Sequence, residues 1–269
     1  MKSRKIQLIK KSYTSTPTLE TAISKTILDE ASSKMIPEIL RFFEPRNLVA
    51  FSPRDSKKNG FKNAVITTCQ NSFDPVLRLS GGKAALFHSG TIGFAWTIPD
   101  DNPKANVCER FEEISLRIKD TFISMGIDAH IGEINGEYCP GRYSVNARRK
   151  SKIMGVGQRL AKYASHIGGV ISITNSKLTQ KILTKIYKDL DYEWIPTTAG
   201  SIEDEIGKIT NSEIISILIE KFSEYYSFEE TTLTKNVLEK AHNIENSYSI
   251  KNTIRDLENS QSILKDTLQ

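Results

Sequence analysis

Cysteine is scarce in this chain, with three in 269 residues (Cys69, Cys108 and Cys139), and no two form a Cys-x-x-Cys pair. That spacing excludes a zinc ribbon and a disulfide framework, and leaves free thiols in a reducing compartment. No Asp or second His stands at ligand spacing from any of the four histidines, so no metal site is expected. No run approaches the ~20 apolar residues that a membrane span needs, so no membrane partner is expected. The amino terminus, "MKSRKIQLIKKSYTSTPT", is basic but has no apolar core and no small-residue cleavage pattern. A secretory signal is therefore not read there, and a cytoplasmic protein is expected. Gly-x-Gly-x-x-Gly and Walker-type phosphate loops are missing, as are internal repeats and low-complexity linkers.

What is there is an ordinary globular composition, 38% hydrophobic and 26% charged, in a chain long enough for one large domain with a small appendage. The formal charge of +5 favours acidic partners through long-range steering. The basic residues come as "KSRK", "DSKKNGFK", "RRKSK" and "KIYKDLDY", without interleaved aromatic side chains, which argues against nucleic-acid binding.

Periodicity predicts helices over 18–35, with Leu19, Ile23, Ile27 and Leu28 on one face, over 106–126, and over 176–190 with Ser176 as the cap. In the second of these, Phe111, Ile114, Ile118, Phe122 and Ile123 are expected to form one apolar stripe. Short apolar runs predict strands in "PEILRFF" and "LVAFS" joined by a turn, and in "AVITTC", "VLRLS", "KAALFH" and "TIGFAWTI". "IDAHIGEI", "YSVNAR", "KIMGVGQR" and "GGVISI" complete the set. From about residue 201 the pattern is nearly all helical. Without a steady βαβ rhythm, the expected class is α+β, with mixed, mostly antiparallel sheets flanked by helices.

Two segments concentrate the residue types that carry chemistry. In "RLSGGKAALFH", Gly81 and Gly82 follow a strand and let a ligand approach bare backbone, or they form a tight turn or bulge. Arg78 ahead of them is a fork for a carboxylate or phosphate, or a solvated strand residue. His88 is placed to touch a ligand, whereas His130 and His166 read as ordinary strand-end residues. In "EYCPGRYSVNARRKSKIMGVGQR", Pro140 and Gly141 make a sharp turn behind Cys139, and Arg142, Arg148, Arg149, Lys150 and Lys152 follow it. A positive surround lowers a thiol pKa and activates it as a nucleophile, while a lone cysteine is otherwise a small buried hydrophobe. Both readings stay open for Cys139, whereas Cys69 and Cys108 read as structural. Lys152 opens the second strand of a hairpin, which brings it toward Cys139 only in part.

Together the two segments resemble the biotin/lipoate protein ligase superfamily, in its lipoate branch. "LRLSGGKAALFH" is similar to that family's Arg-x-Ser/Thr-Gly-Gly signature with a later histidine, and "KIMGVGQR" to its Lys-(Ile/Val)-x-Gly-x-(Ala/Ser/Gly)-Gln-Arg strand. "PEILRFFEPRNLVAFSPRD" resembles its early Leu-Arg-Phe strand pair, and the likeness runs from about residue 19 to 190. "EYCPGRYSVNA" looks most like the cysteine-dependent octanoyl/lipoyl transferases of the amidotransferase type. The resemblance implies a catalytic domain over 1–200 and a helical extension over 201–269. It implies Cys139 as nucleophile and Lys152 as the lysine that activates it and polarises the acyl carbonyl. Arg78, Ser80, Gly81, Gly82, His88, Gly141, Gly155 and Gln158 are then expected to bind the acyl substrate. The implied partners are lipoyl domains of 2-oxoacid dehydrogenases, with glycine-cleavage H protein or acyl-carrier protein as donor, and no cofactor is required for transfer.

An ATP-dependent lipoate ligase, which needs ATP and Mg, is the alternative, and a non-catalytic protein that binds a lipoyl domain or acyl ligand is a third reading. Leu79 stands where the family often has a second Arg, and Ser89 where an Asp commonly follows the histidine; both departures fit transfer better than ligation. The turn "RRKS" lacks the usual glycine, so a hairpin one residue wider is expected.

Overall fold

The computed structural model describes residues 4–250. In chain order the elements are β1 (Arg4–Ile9), α1 (Leu19–Ser32), β2 (Ile39–Phe43), β3 (Leu48–Phe51), α2 (Phe61–Gln70), β4 (Asp74–Leu77), β5 (Ala85–Phe87) and β6 (Thr91–Pro99). Then come α3 (Val107–Ser124), β7 (Ala129–Ile131), β8 (Val145–Ala147), β9 (Ser151–Leu160), β10 (Ala164–Ser172), α4 (Ser176–Asp189), α5 (Glu203–Ile206), α6 (Asn211–Ser223), β11 (Tyr226–Glu230) and α7 (Lys235–Ile244).

Eight strands form one sheet in the order β11-β1-β2-β6-β10-β9-β8-β7, and β4-β3-β5 form a second. Only β1–β11, β1–β2 and β3–β4 pair in parallel, so the expected mixed, mostly antiparallel α+β class holds. Alternation along the central strands sorts side chains to two faces. Phe42, Ile92, Phe94, Trp96 and Ile98 bury one face against Ile114, Ile118 and Phe122 of α3 and Ile214, Leu218 and Phe222 of α6. On the other side α1 packs over β6 and β10, with α7 beside it. The small sheet has its own core, where Phe61, Ala64 and Val65 of α2 meet Ile182, Leu183 and Ile186 of α4.

Several local expectations are corrected. "AVITTC" is helical: Phe61, Ala64, Val65 and Thr68 are buried at helical spacing, so packing on α4 overrides the strand preference of a β-branched run. Gly60 caps that helix against the end of α4, where a Cβ would lie 1.7 Å from the Asp189 carbonyl oxygen. The "PEILRFF" and "LVAFS" strands do not pair with each other but lie in different sheets. Residues 4–9 form a strand, and residues 226–230, expected to be helical, form the edge strand beside it. The edge strand gains its ladder hydrogen bonds from a partner over 200 residues away, a relation no local window contains. The cap of α4 is Asn175, in a left-handed conformation at φ 58°, and its side chain accepts from the Leu178 amide. On α3, Ile123 is half exposed and off the buried stripe. The part of the expected helical extension over 251–269 lies outside the described residues.

Candidate active site

The site begins as a row of missing side chains. Gly157 of β9 pairs with Gly168 of β10, Gly168 pairs with Ala95 of β6, and Ala95 pairs with Arg41 of β2. Paired residues share a face, so these small residues leave a trough across neighbouring strands, about 14 Å over three strand spacings. It ends at Arg41, whose guanidinium pairs with the Glu20 carboxylate on α1. Roofed by α1, the small sheet and the segment around Gly81, the trough becomes a cavity of about 390 Å³. Its wall includes Phe43, Ala50, Ala85, Phe87, Phe94 and Val170, an apolar lining for a slim ligand.

Cys139 and Lys152 both line this cavity. The β8–β9 hairpin turns through Arg148 and Arg149, both at positive φ, and the three residues 148–150 lie between the paired Ala147 and Ser151. A bulge beside Asn146 follows, and Lys152 emerges fully buried. Its Nζ donates to Glu137 Oε1 at 3.0 Å, to the Tyr138 carbonyl at 3.1 Å and to the Cys139 carbonyl at 2.8 Å. The structure thus brings the two expected residues together, through the backbone of the cysteine loop.

Cys139 adopts φ 42°, a left-handed conformation that a non-glycine residue holds only when its surroundings impose it. The constraint comes from both sides of the residue. Its N–H donates to the Tyr187 hydroxyl at 2.9 Å, that hydroxyl donates to the Ala84 carbonyl at 3.0 Å, and its carbonyl accepts from Lys152. The thiol meets the Lys83 backbone N–H at 3.1 Å and Arg78 Nη2 at 3.6 Å. Burial pushes the Cys139 thiol up, but the charges of Arg78 and then Lys152, with the Lys83 amide, outweigh it and hold the thiol below its ordinary range. The result is a thiolate-prone sulfur at the wall of an apolar cavity.

The glycine segment is held equally firmly. Ser52 Oγ donates to the Gly82 carbonyl at 2.7 Å and lies 2.9 Å from Asp55 Oδ2, which accepts from the Ser52 N–H, and Tyr192 donates to Asp55 Oδ1 at 2.9 Å. Gly82 lies at φ 104°, and a Cβ there would stand 2.5 Å from Arg78 Nη2 and 2.7 Å from Cys139 Sγ. Only glycine lets this backbone lie against the sulfur.

Of the other expected site residues, Arg78, Ser80, Gly81, Gly82, Gly155 and Gln158 line the cavity. Gln158 is tied down by Arg110, which donates to its Oε1 at 2.9 and 3.1 Å. Gly141 does not line the cavity; its N–H donates to Glu137 Oε1 at 3.1 Å and shapes the loop. His88 is a correction, because it is buried away from the cavity, with Nδ1 accepting from the Gly90 amide and Nε2 against Thr179 Oγ1. Burial lowers its pKa to about 4, so it stays neutral.

Glu137, Glu20 and His166 are the residues that the sequence reading passed over. Glu137 is fully buried, and its carboxylate accepts from Ile134 N, Gly141 N, Ser144 Oγ and Lys152 Nζ. Its place beside Cys139 in "EYCPG" was the available signal, since an acid next to a buried nucleophile needs a cation. His166 is not a strand-end residue but lines the cavity, buried and with its pKa lowered to about 4 by burial and by Arg41. Cys69 and Cys108 are exposed on helices, so neither is core filler. Among the described residues no cluster of His, Cys, Asp or Glu could hold a metal ion. No described helix is long and apolar enough to cross a membrane.

Comparison with known proteins gives this arrangement a family. The chain is 26% identical over 138 residues to lipoyl-[GcvH]:protein N-lipoyltransferase of Listeria monocytogenes, covering 51% of this chain and only about half, 49%, of that relative's length. It is 21% identical over 196 residues to octanoyl-[GcvH]:protein N-octanoyltransferase of Geobacillus kaustophilus, covering 69% of each. The fold matches lipoate-protein ligase A bound with ATP at TM-score 0.71 and 18% identity, over 91% of this chain and 95% of that one. It also matches the bipartite lipoate protein ligase of Thermoplasma acidophilum at TM-score 0.65 and 19% identity, over 91% and 92%. The family described as lipoyl protein ligase A/B catalytic domain matches residues 16–223, and the chain belongs to it.

Proposed function

We propose that this chain transfers an octanoyl or lipoyl group from a carrier protein to a lysine of a lipoyl domain, through a thioester on Cys139. The observation that carries the reading is the partly buried sulfur, set between the Lys83 amide and Arg78 at the wall of an apolar trough. An enzyme that only adenylates a free acid needs no such group. Relatives named as transferring lipoyl or octanoyl from GcvH support the same reading, with the glycine-cleavage H protein as donor.

The chemistry balances without a nucleotide. The Cys139 thiolate attacks the acyl carbonyl of the donor, a C–S bond forms and the C–N bond to the donor lysine breaks. The proton released when the thiol ionised ends on the departing amine. A neutral amine of the acceptor lysine then attacks the thioester, a C–N bond forms, C–S breaks, and the amine's proton returns to the thiol. One amide replaces another of the same bond class, so no cofactor has to drive the exchange. Substrate enters with its chain in the trough and its carbonyl at Sγ, where positive charge and backbone N–H oppose the developing oxyanion.

Intact-mass measurement after mixing with octanoylated H protein tests this. An octanoyl adduct that hydroxylamine removes is expected, and Cys139→Ala abolishes both adduct and transfer. A fully active Cys139→Ala protein sinks the proposal. Pyrophosphate release from ATP with free lipoate, in place of the adduct, establishes the ligase instead.

A further inference from the structure

We propose that Arg54, Lys58 and Lys83, gathered around the ring of Tyr192, form a docking ledge beside the Cys139 site for an acidic patch on the carrier domain, next to the lysine that bears or accepts the acyl group. The inference rests on the transfer reading and goes beyond it by naming where the protein partner sits and what charge it presents.

The cavity opens next to these residues. Gly81 and Gly82 line it and are themselves exposed, so its mouth lies along them. Lys83 is the next residue: its backbone N–H meets Cys139 Sγ at 3.1 Å, while its Nζ lies 4.6 Å from the centre of the Tyr192 ring. Lys58, in the segment ahead of α2, also holds its Nζ 4.6 Å from that ring. Burial, and then Asp55, pushes the Tyr192 phenol up to about 12, so the ring is a neutral platform for both ammonium groups. The charges of Arg54 and Cys139 act on the same phenol, which puts the exposed Arg54, the two lysines and the sulfur in one neighbourhood.

These cations have no counter-ion of their own. The Asp55 carboxylate is taken up by Ser52 and Tyr192, and Lys58 Nζ reaches only the Asp191 backbone carbonyl, at 3.4 Å. Asp191 and Glu193 flank Tyr192 and are exposed, yet among the described residues no ion pair joins a carboxylate to Arg54, Lys58 or Lys83. Like charges gathered in this way repel one another, and an anionic partner relieves that repulsion. The place of the ledge selects the partner. A lysine carries its acyl group on a four-carbon stem, so the backbone of a lysine-bearing domain must come close to Cys139 and against the ledge. Carboxylates beside that lysine then act on the ledge within a Debye length, about 8 Å at physiological salt. An acyl-carrier protein holds its acyl group on a much longer arm, which leaves its body clear of these side chains.

Binding of the unacylated lipoyl domain to the full chain, followed by biolayer interferometry at low and at physiological salt, tests the ledge without any acyl chemistry. Affinity is expected to fall severalfold as salt rises. Arg54→Glu combined with Lys58→Glu reverses two charges and leaves Lys83, whose amide meets the sulfur, untouched. It is expected to weaken binding at low salt by about tenfold or more and to flatten the salt dependence. Alkylation of Cys139 by iodoacetamide is expected to stay within about twofold in the same variant. Changing to Lys a carboxylate next to the acceptor lysine of the lipoyl domain is expected to weaken binding to the unaltered chain and to restore it severalfold to the double variant. A double variant with unchanged affinity and unchanged salt dependence overturns the proposal. Where that variant does not fold, Arg54→Gln combined with Lys58→Gln takes its place, and unchanged affinity there is the overturning result. An acyl-carrier protein that binds more tightly than the lipoyl domain, and loses that binding in the double variant, overturns the choice of partner. Binding at the ledge without an octanoyl adduct on Cys139 supports the ledge and fails the transfer reading alone.

Discussion

Removing one oxygen atom behind the wall of the acyl trough tests how the cysteine loop is held. Tyr187 lies on α4, fully buried, and its hydroxyl bridges the Cys139 N–H at 2.9 Å and the Ala84 carbonyl at 3.0 Å. Tyr187→Phe keeps the ring, with its aromatic contacts to Tyr192 and Trp194, and deletes only the bridge. Two backbone groups then lose a partner. Each such loss costs about 1–3 kcal/mol, and partial relaxation brings the pair to about 2–3 kcal/mol. For a chain of this size that corresponds to a fall in Tm of roughly 4–5 °C. The local effect is sharper, because Cys139 sits at φ 42° and relaxes toward ordinary φ once its N–H is free. Sulfur then leaves the Lys83 amide, and alkylation of Cys139 below pH 8 is expected to slow severalfold. Calorimetry and alkylation kinetics on the same sample read both effects. A Tyr187→Phe protein with unchanged Tm and unchanged alkylation refutes the argument that this hydroxyl holds the loop.

Other perturbations follow from the same geometry. Gly82→Ala is expected to cost about 1–2 kcal/mol from its positive φ alone, read by urea denaturation, and to displace Cys139 Sγ, read as a loss of the octanoyl adduct. His88 and His166 are buried neutral with pKa about 4, below the unfolded value of 6.5. Their folded-state pKa values are depressed, so the unfolded chain binds more protons between pH 6.5 and 4, and stability falls as pH falls through that window. The loss reaches at most about 3 kcal/mol per histidine, and urea denaturation at pH 7 and pH 4.5 measures it. His166→Asn is expected to flatten that dependence without abolishing it. Glu20→Ala leaves the buried Arg41 guanidinium without its ion pair and is expected to destabilise by about 3–5 kcal/mol, checked by thermal melting.

Legibility in the sequence followed the range of the interactions involved. Helix α1 and the strands β6, β9 and β10 showed in their periodicity, because the pattern that buries them is local. Strand β11 did not, since residues 226–230 are a strand only by pairing with β1. The "AVITTC" segment misled because its β-branched residues favour a strand, while Ala64, Val65 and Thr68 face α4 at helical spacing. His88 follows a glycine motif that suggests a ligand contact, yet its ring is buried beside Thr179.

Local chemistry in the sequence marks Cys139, Arg78, Gly81, Gly82 and Lys152 as candidates with a structural reading open beside each, and the family resemblance is what implies their roles. Tertiary structure decided what each of them does. It carried Arg78 to the sulfur across 61 positions of chain, and placed a carboxylate, Glu137, where it takes up one of the Lys152 hydrogens. It also clamped both backbone ends of Cys139 from opposite sides. Charge near a thiol can be read from composition, but which cation reaches it depends on where every N–H points, and only the packed chain sets that direction.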